Sequence, residues 1–397
     1  MKLLSVEAAR EVMLAAATPL PTEPVALQHC LGRTLRADVL ASRDQPPFDA
    51  SAMDGWAVIA AAGAGRRRIV GESAAGHPFS GKIGGGEAVR IFTGAPVPDG
   101  ADAIVIQEDA VREGDLVAVP AAPSGAHLRR AGHDFRAGQR LLAAPCRLDP
   151  WRLGLAAAAG LGVLEVSRLP RVTVIPTGEE VVPAGTAAGS AQIYDSGGPS
   201  LAALVECWGG IAQASAPIGD DASAIAAAAQ GAACDLIVTL GGASVGDHDL
   251  VKPALAELGL TLRVESVAVR PGKPTWFGVL GDGRLVLGLP GNPASALVCA
   301  ELFLRPLLEA LLGEEPIMRL VPARSSQQLA ANGPREHWMR ARLRRGEDAA
   351  LIVEPFVDQD SALVTIFAAA DALLRRCAGA PATAAGDVVD VLPLMRA

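Results

Sequence analysis

The sequence lacks most of the signatures by which a chemistry announces itself. Aromatic residues make up only 4 % of the chain, so its cores must be built from Ala, Val and Leu. The six cysteines, Cys30, Cys146, Cys207, Cys234, Cys299 and Cys377, never come closer than 27 residues to one another. That spacing excludes CxxC redox chemistry and a cysteine zinc site, and it reads as buried free thiols in a reducing cytoplasm. The six histidines show neither HxxxH nor HxH spacing, which favours surface or hydrogen-bonded histidines over metal ligands. There is no GxSxG, and no Ser/His/Asp or Cys/His nucleophile arrangement can be argued. The glycine-rich GGASVG at 241–246 is neither GxxxxGK[ST] nor GxGxxG, so a Walker loop and a dinucleotide fingerprint are both unsupported. The longest uncharged apolar stretches, near 153–164 and 285–300, are too short or too broken by Pro and Asn to span a bilayer. Glu7, Arg10 and Glu11 interrupt the apolar N-terminus, which suits an amphipathic helix starting near Ser5 better than a signal peptide. A net charge of −8 disfavours a generic grip on nucleic acid, and it requires any anionic ligand to be held by a local basic cluster. The expectation is a cytoplasmic protein with neither nucleic-acid nor membrane partners.

What is present is length, apolar content and turn residues. A chain of 397 residues, half of them hydrophobic, with 43 Gly and 29 Pro, exceeds one compact core and should form two to four domains. Residues 43–137 carry short β-rich runs such as EAVRIF and ADAIVI between Gly/Pro clusters, the pattern of a small all-β module. Helical segments at 4–17 and 150–160 flank it and are expected to pair as one discontinuous unit, 1–42 with 138–169. From 170 to 316 strands alternate with helices, including the hairpin TWFGVLGDGRLVLGLPG and a long final helix. That order calls for a parallel sheet covered on both faces. Ligands of such sheets bind at the carboxyl ends of the strands. The loops there hold Thr177, Gly178 and Glu180; Gly241, Gly242, Ser244, Gly246 and Asp249; and Pro290, Gly291, Asn292 and Pro293, and they should converge. Residues 317–397 return to β structure. In HWMRARLRR, Met339, Ala341 and Leu343 alternate with Trp338, Arg340 and Arg342, so one face can pack while the other presents guanidinium groups.

Several residue groups could carry chemistry. GGASVG can offer backbone N–H groups and a hydroxyl to an anion, with Asp247 and Asp249 beside it. Acids next to an anion suggest a hard cation between them, and Asp54, Glu180 and Asp249 are of the right type for Mg²⁺. A helix N-cap is the alternative for Asp249. RPGKP at 270–274 sets Arg270 and Lys273 three residues apart around a Pro-Gly corner, able to face one tetrahedral oxyanion. A solvated charged turn is the alternative. In PPFDASAMDGWAV at 46–58 the Asp54-Gly55 step reads either as a tight turn with Gly55 at positive φ, or as a device that presents a carboxylate.

PPFDASAMDGWAV, RIFTGAPVPDGADAIVIQED, GHDFRAG, PTGEE, IYDSGGPSL, GGASVGDHD, RPGKP and LPGNPASA occur in this order across the chain. Together they closely resemble the molybdopterin molybdenumtransferase family, which is MoeA-like and similar to the gephyrin E domain. The resemblance implies a multidomain α/β plus β fold: a helical linker domain, an inserted β domain, a three-layer α/β molybdopterin-binding domain with a parallel sheet, and a C-terminal β barrel. It implies a transferase that inserts molybdate into adenylyl-molybdopterin, releasing AMP with the help of Mg²⁺. Arg270 and Lys273, helped by Arg340 and Ser361, would hold molybdate. Asp54, Glu180 and Asp249 would position metal and water at the phosphoanhydride, with Thr93 lining the cleft. It further implies a homodimer in which Asp54 acts across the subunit interface, with a molybdopterin adenylyltransferase and acceptors of the finished cofactor as partners. The sister adenylyltransferase and a non-catalytic scaffold derived from the family are the competing readings. Three positions depart from the family pattern: Trp56 where Tyr is usual, Arg270 where Lys is common, and Gly197 where Asn is usual.

Overall fold

The computed structural model describes residues 3–242 and 250–394. The chain divides into two compact units, residues 24–166 and residues 1–23 together with 167–397.

In the unit 24–166 a six-stranded sheet runs in the order Val111–Glu113, Leu116–Val119, Gly65–Ser73, Glu87–Ile91, Gly55–Val58, Ala103–Ile106. Side chains alternate across a strand, and here both faces are apolar. Trp56, Val58, Val105, Val117 and Val119 share one cluster, while Ala57, Val89, Ile91 and Ile104 share the other. Gly55 begins an interior strand and is absent from the positive-φ glycines, so the tight-turn reading of Asp54-Gly55 does not hold. A Cβ at Gly55 would stand 2.0 Å from the Val105 carbonyl oxygen, so glycine is there to let two strands approach. A third core gathers Cys30, Leu35, Val39, Leu148, Ala156, Leu164 and Val166 around helix Pro150–Ala158.

Helix Val6–Ala16 starts where expected, with the Ser5 side chain accepting from Ala8 N. It belongs to the unit of residues 1–23 and 167–397, and helix Pro150–Ala158 to the unit 24–166. Its apolar stripe Val6, Ala9, Met13 is buried with Leu302, Phe303, Leu307 and Leu308, and Arg10 donates to Leu302 O and, at 3.4 Å, to Pro316 O.

The second unit holds a six-stranded sheet in the order Ile211–Ala214, Arg171–Pro176, Leu236–Leu240, Leu285–Leu289, Trp276–Val279, Thr261–Val264. The first four strands are parallel and the last two antiparallel, which includes the expected hairpin. Val172, Val174, Leu236, Val238, Leu285 and Leu287 pack on one face with Leu201 and Val205 of helix Gly197–Cys207. Ile175, Ile237 and Val286 pack on the other with Ile225, Ala229, Val251 and Leu255. Two buried faces explain why these strands read as unbroken apolar runs. The long helix spans Pro293–Cys299 and Arg305–Leu311, joined by a π-helical turn at Ala300–Leu304.

Strands Val321–Ser325, Glu336–Arg345, Leu351–Pro355, Ala372–Arg376 and Val388–Pro393 close into a barrel, because Glu336–Arg345 pairs with both Leu351–Pro355 and Ala372–Arg376. Ala341, Val353, Leu374 and Val391 lie in its core. Trp338 turns instead into the core of the α/β layer, and Arg340 is fully buried. Of Trp338, Arg340 and Arg342, only Arg342 is exposed, and its guanidinium lies over Phe356 at 5.1 Å. Among the cysteines only Cys30 and Cys299 are buried; Cys207 and Cys377 are exposed, a departure from the buried-thiol expectation. Among the described residues no helix is long and apolar enough to cross a membrane.

Gly55→Ala should destabilise the protein by about 1–3 kcal/mol, because its methyl meets backbone that cannot rotate away. Thermal unfolding of the full chain checks this, and an unchanged transition refutes the close-approach account.

Candidate functional site

Strand Arg171–Pro176 is followed in the chain by its neighbour on one side, Ile211–Ala214, and then by its neighbour on the other, Leu236–Leu240. The direction of winding reverses there, and the crevice that opens at such a point is where doubly wound sheets bind ligands. The expected loops do converge on it. Thr177 N and Oγ1 both donate to Leu240 O, Gly241 N donates to Leu289 O, and a Cβ on Gly291 would lie 3.4 Å from Gly241 Cα. Gly241 has φ +92°, with Thr177 O 2.6 Å from the place of its absent Cβ, so the crossing of these loops requires glycine. The Glu180 carboxylate folds back over Gly178, its Oε2 2.7 Å from where a Cβ would be. Gly197, the departure from Asn, is accounted for by Leu240, whose Cδ2 occupies the space of a side chain at 2.2 Å. Ser244, Gly246 and Asp249 lie outside the described residues.

The two cations of RPGKP sit on a corner shaped from below. Gly272 has φ +114°, and the buried Cys299 Sγ lies 2.2 Å from where its Cβ would be. Thr275 Oγ1 donates to Gly272 O at 2.7 Å and approaches Cys299 Sγ at 3.1 Å. Burial pushes the Cys299 thiol up to about 12, so it is inert packing. Val269–Arg270 then joins the barrel as a short parallel strand, with Val269 opposite Glu336 and Arg270 opposite His337. This pairing walls a cavity of about 380 Å³ with Arg270, Lys273, Asn292, Arg335, Asp360 and Ser361 among its lining residues. Asn292 Nδ2 donates to Ser361 Oγ at 2.9 Å, and Ala294 N donates to Ser361 O, so the barrel loop is fastened to the start of the long helix. Asp360 is the acid in the wall, and its Oδ1 accepts from Ala362 N.

The field in this region is positive. His337, 8 % exposed, has its pKa pushed down to about 4 by burial and then by Arg270, Arg340, Arg335 and Arg376. Arg340 lies behind the wall, linked to the lining residue Gln359, whose Oε1 accepts from Arg340 N at 2.9 Å and Nε at 3.2 Å. Arg335, Gln359 and Ser295 are cavity residues that the sequence reading missed. The first is brought in by the Arg270–His337 pairing, for which no sequence signal exists. A second concavity of about 460 Å³ at the amino ends of the strands is also lined by arginines. There Arg168 is paired with Asp235 and Arg284 with Asp282, so much of its positive charge is already neutralised.

Asp54 and Thr93 come together in the unit 24–166. Asp54 Oδ1 accepts from Thr93 N at 2.7 Å and from Thr93 Oγ1 at 2.9 Å. These bonds, with a smaller pull from Arg90, hold the Asp54 carboxyl below the usual carboxylate range. The loop is braced by Gln107 N donating to Asp54 O and Arg90 Nη1 donating to Gly55 O. Arg90 itself lies against the rings of Trp56 at 5.3 Å and Phe92 at 4.9 Å. Trp56, the replacement for Tyr, thus keeps the aromatic surface on which the arginine rests. No three His, Cys, Asp or Glu side chains gather as a cation site among the described residues. The donor type still suits a hard cation, since Asp54 is kept ionised and its Oδ2 is free of hydrogen bonds among the described residues.

The fold joins a doubly wound α/β domain to a β barrel that shares the wall of a cation-lined cavity. Comparison with known proteins gives the family. The MoeA N-terminal region (domain I and II) matches residues 4–160, the "Probable molybdopterin binding domain" residues 173–310, and the MoeA C-terminal region (domain IV) residues 322–394. A molybdopterin molybdenumtransferase of Synechococcus elongatus is 42 % identical over 329 residues, covering 79 % of this chain and 81 % of that protein. One from Staphylococcus aureus is 29 % identical across 94 % of this chain and 91 % of its own. The crystal structure of a molybdopterin biosynthesis MoeA protein from Pyrococcus horikosii superposes with a TM-score of 0.85 at 31 % identity, covering 99 % of both chains. The chain belongs to the MoeA family of molybdopterin molybdenumtransferases.

Removing the Thr93 hydroxyl while keeping its backbone N–H should raise the Asp54 pKa. In Thr93→Val the carboxylate then ionises at higher pH, and any step that needs it charged loses its acid limb at higher pH than in the wild type. A carbon-13 NMR titration of the Asp54 carboxyl measures this directly. A curve superimposable on the wild type rejects the assignment.

Proposed function

We propose that this chain inserts molybdate into the dithiolene of adenylyl-molybdopterin, releasing AMP. As a member of its family it is a transferase of molybdenum cofactor biosynthesis. The observation that carries the finer reading is the cavity in which Arg270, Lys273 and Arg335 meet the Asn292 amide and the Ser361 hydroxyl. A tetraoxo dianion needs several directional donors in a site of positive potential, and charge-assisted bonds are the strong ones. Thr177, Gly178, Gly241, Gly242 and the Pro290–Pro293 loop form the floor of the crevice for the pterin and its phosphates. The barrel's share of the wall favours molybdate insertion over adenylylation, because Arg335 and Ser361 come from outside the α/β domain.

Mg²⁺ is the cation we assign to the carboxylates of Asp54, Glu180 and Asp249, where it would neutralise charge on the phosphoanhydride oxygens. In a homodimer Asp54 of one subunit would serve the crevice of the other, which gives a purpose to the bracing of its loop. A molybdopterin adenylyltransferase would supply the substrate, and molybdenum enzymes would accept the product.

AMP release should require both molybdate and Mg²⁺. A buried charge-assisted bond contributes about 1.5–3 kcal/mol, so Lys273→Ala should raise the molybdate requirement by about one to two orders of magnitude. Binding of the adenylylated pterin should change much less. If pterin binding weakens while molybdate dependence stays the same, RPGKP belongs to a pterin phosphate instead.

The dimer assignment has its own test. Asp54→Asn and Asp249→Asn homodimers should both be inactive, and mixing them should restore one site per heterodimer. A verified heterodimer without recovered turnover rules out action across the interface.

A further inference from the structure

Arg340 is the least satisfied cation of the molecule's described part. It is 0 % exposed, yet neither Nη1 nor Nη2 has a hydrogen-bond partner among the described residues. Burial lowers its pKa, and Asp358 and Asp360 oppose that shift without forming an ion pair with it. A buried guanidinium with two bare amino groups costs free energy unless an acceptor arrives.

Everything else about the side chain is held by one residue. Gln359 Oε1 accepts from Arg340 N and Nε, and Gln359 Nε2 donates to Arg340 O at 3.0 Å and Phe356 O at 2.8 Å. Both partners of Nε2 are carbonyl oxygens, which fixes the orientation of the amide. The same Gln359 lines the cavity that holds Arg270, Lys273 and Arg335. Phe356 N also donates to Arg340 O, so the loop that carries Gln359 is anchored to the strand that carries Arg340.

Resting on the molybdate reading of that cavity, we propose that Gln359 is a positioning residue. It occupies the backbone and Nε of Arg340, so that Nη1 and Nη2 alone are left for an incoming tetraoxoanion. Arg340 itself stands behind Gln359 and does not line the cavity. A glutamine is required: a leucine would free Arg340 to turn away, and a glutamate would supply the acceptor but neutralise the guanidinium.

The test titrates sodium molybdate into the full-length protein by calorimetry, with thermal unfolding of each variant recorded alongside. Gln359→Glu nearly preserves shape, and about a tenfold or greater loss of affinity is expected from one neutralised charge-assisted contact. Gln359→Leu should lose affinity as well, and in both variants the stabilisation by saturating molybdate should shrink. A purely structural role would lower the melting temperature and leave the affinity of the folded fraction intact, which overturns the proposal. Lys273→Ala separates the two claims. If it binds molybdate like the wild type while Gln359→Glu does not, the anion is held at Arg340 and the RPGKP assignment fails. If Lys273→Ala loses affinity and both Gln359 variants keep it, the cavity stands and the role of Gln359 is overturned. If the wild type binds no molybdate, both fall.

Discussion

A two-residue strand pairing governs the candidate oxyanion site. Val269–Arg270 lies parallel to Glu336–His337, and through it the end of an α/β strand connection becomes part of the barrel's sheet. Glu336 N also donates to Ala268 O. Without this pairing, Arg270 and Lys273 would be a charged turn in solvent. With it, they face Arg335 and Ser361 across a cavity. The pairing is short, so it is backed by packing: Val269 is fully buried in the same core as Trp338, Phe277 and Leu373. Hydrophobic burial holds the register, and the register places the charges.

Concentrating cations in one wall has an electrostatic cost, which is visible in the neighbours. His337 is held neutral by burial and by four arginines, and Arg340 is buried without an acceptor for its terminal amino groups. Elsewhere in the same unit arginines are paired: Arg168 with Asp235, Arg305 with Glu301 and Glu309, and Arg375 with Glu336. Arg270, Lys273 and Arg335 instead line one cavity, and on a chain of net charge −8 a local basic cluster of this kind is what an anion site requires.

Parts of this arrangement were legible in the sequence for physical reasons. Continuous apolar strands alternating with helices require a sheet buried on both faces, and the loops at its carboxyl ends must then lie side by side. The glycines at 241, 242 and 272 stood out because their neighbours are turn residues, and the structure gives each a positive φ and a close neighbour. Gly55 was left open between two readings, since its neighbour Asp54 imitates a hairpin signal while its real constraint, the Val105 carbonyl, is 50 residues away. Trp338 and Arg340 were misread for a related reason. Alternation separates two faces of a strand but does not say whether the second face meets water or another layer.

The sequence by itself determined the fold class, the loops that carry function and the residue types available for anion and metal chemistry. These depend on local pattern and on covalent properties that folding does not change. Tertiary structure alone decided the partnerships: that helix Val6–Ala16 packs on the long helix, that Asp54 is braced by Thr93 and Arg90, and that Gln359 stands between the cavity and Arg340. Each is set by packing and hydrogen bonding between segments far apart in the chain. No local signal encodes such a pairing, because its free energy exists only once both segments have been desolvated together.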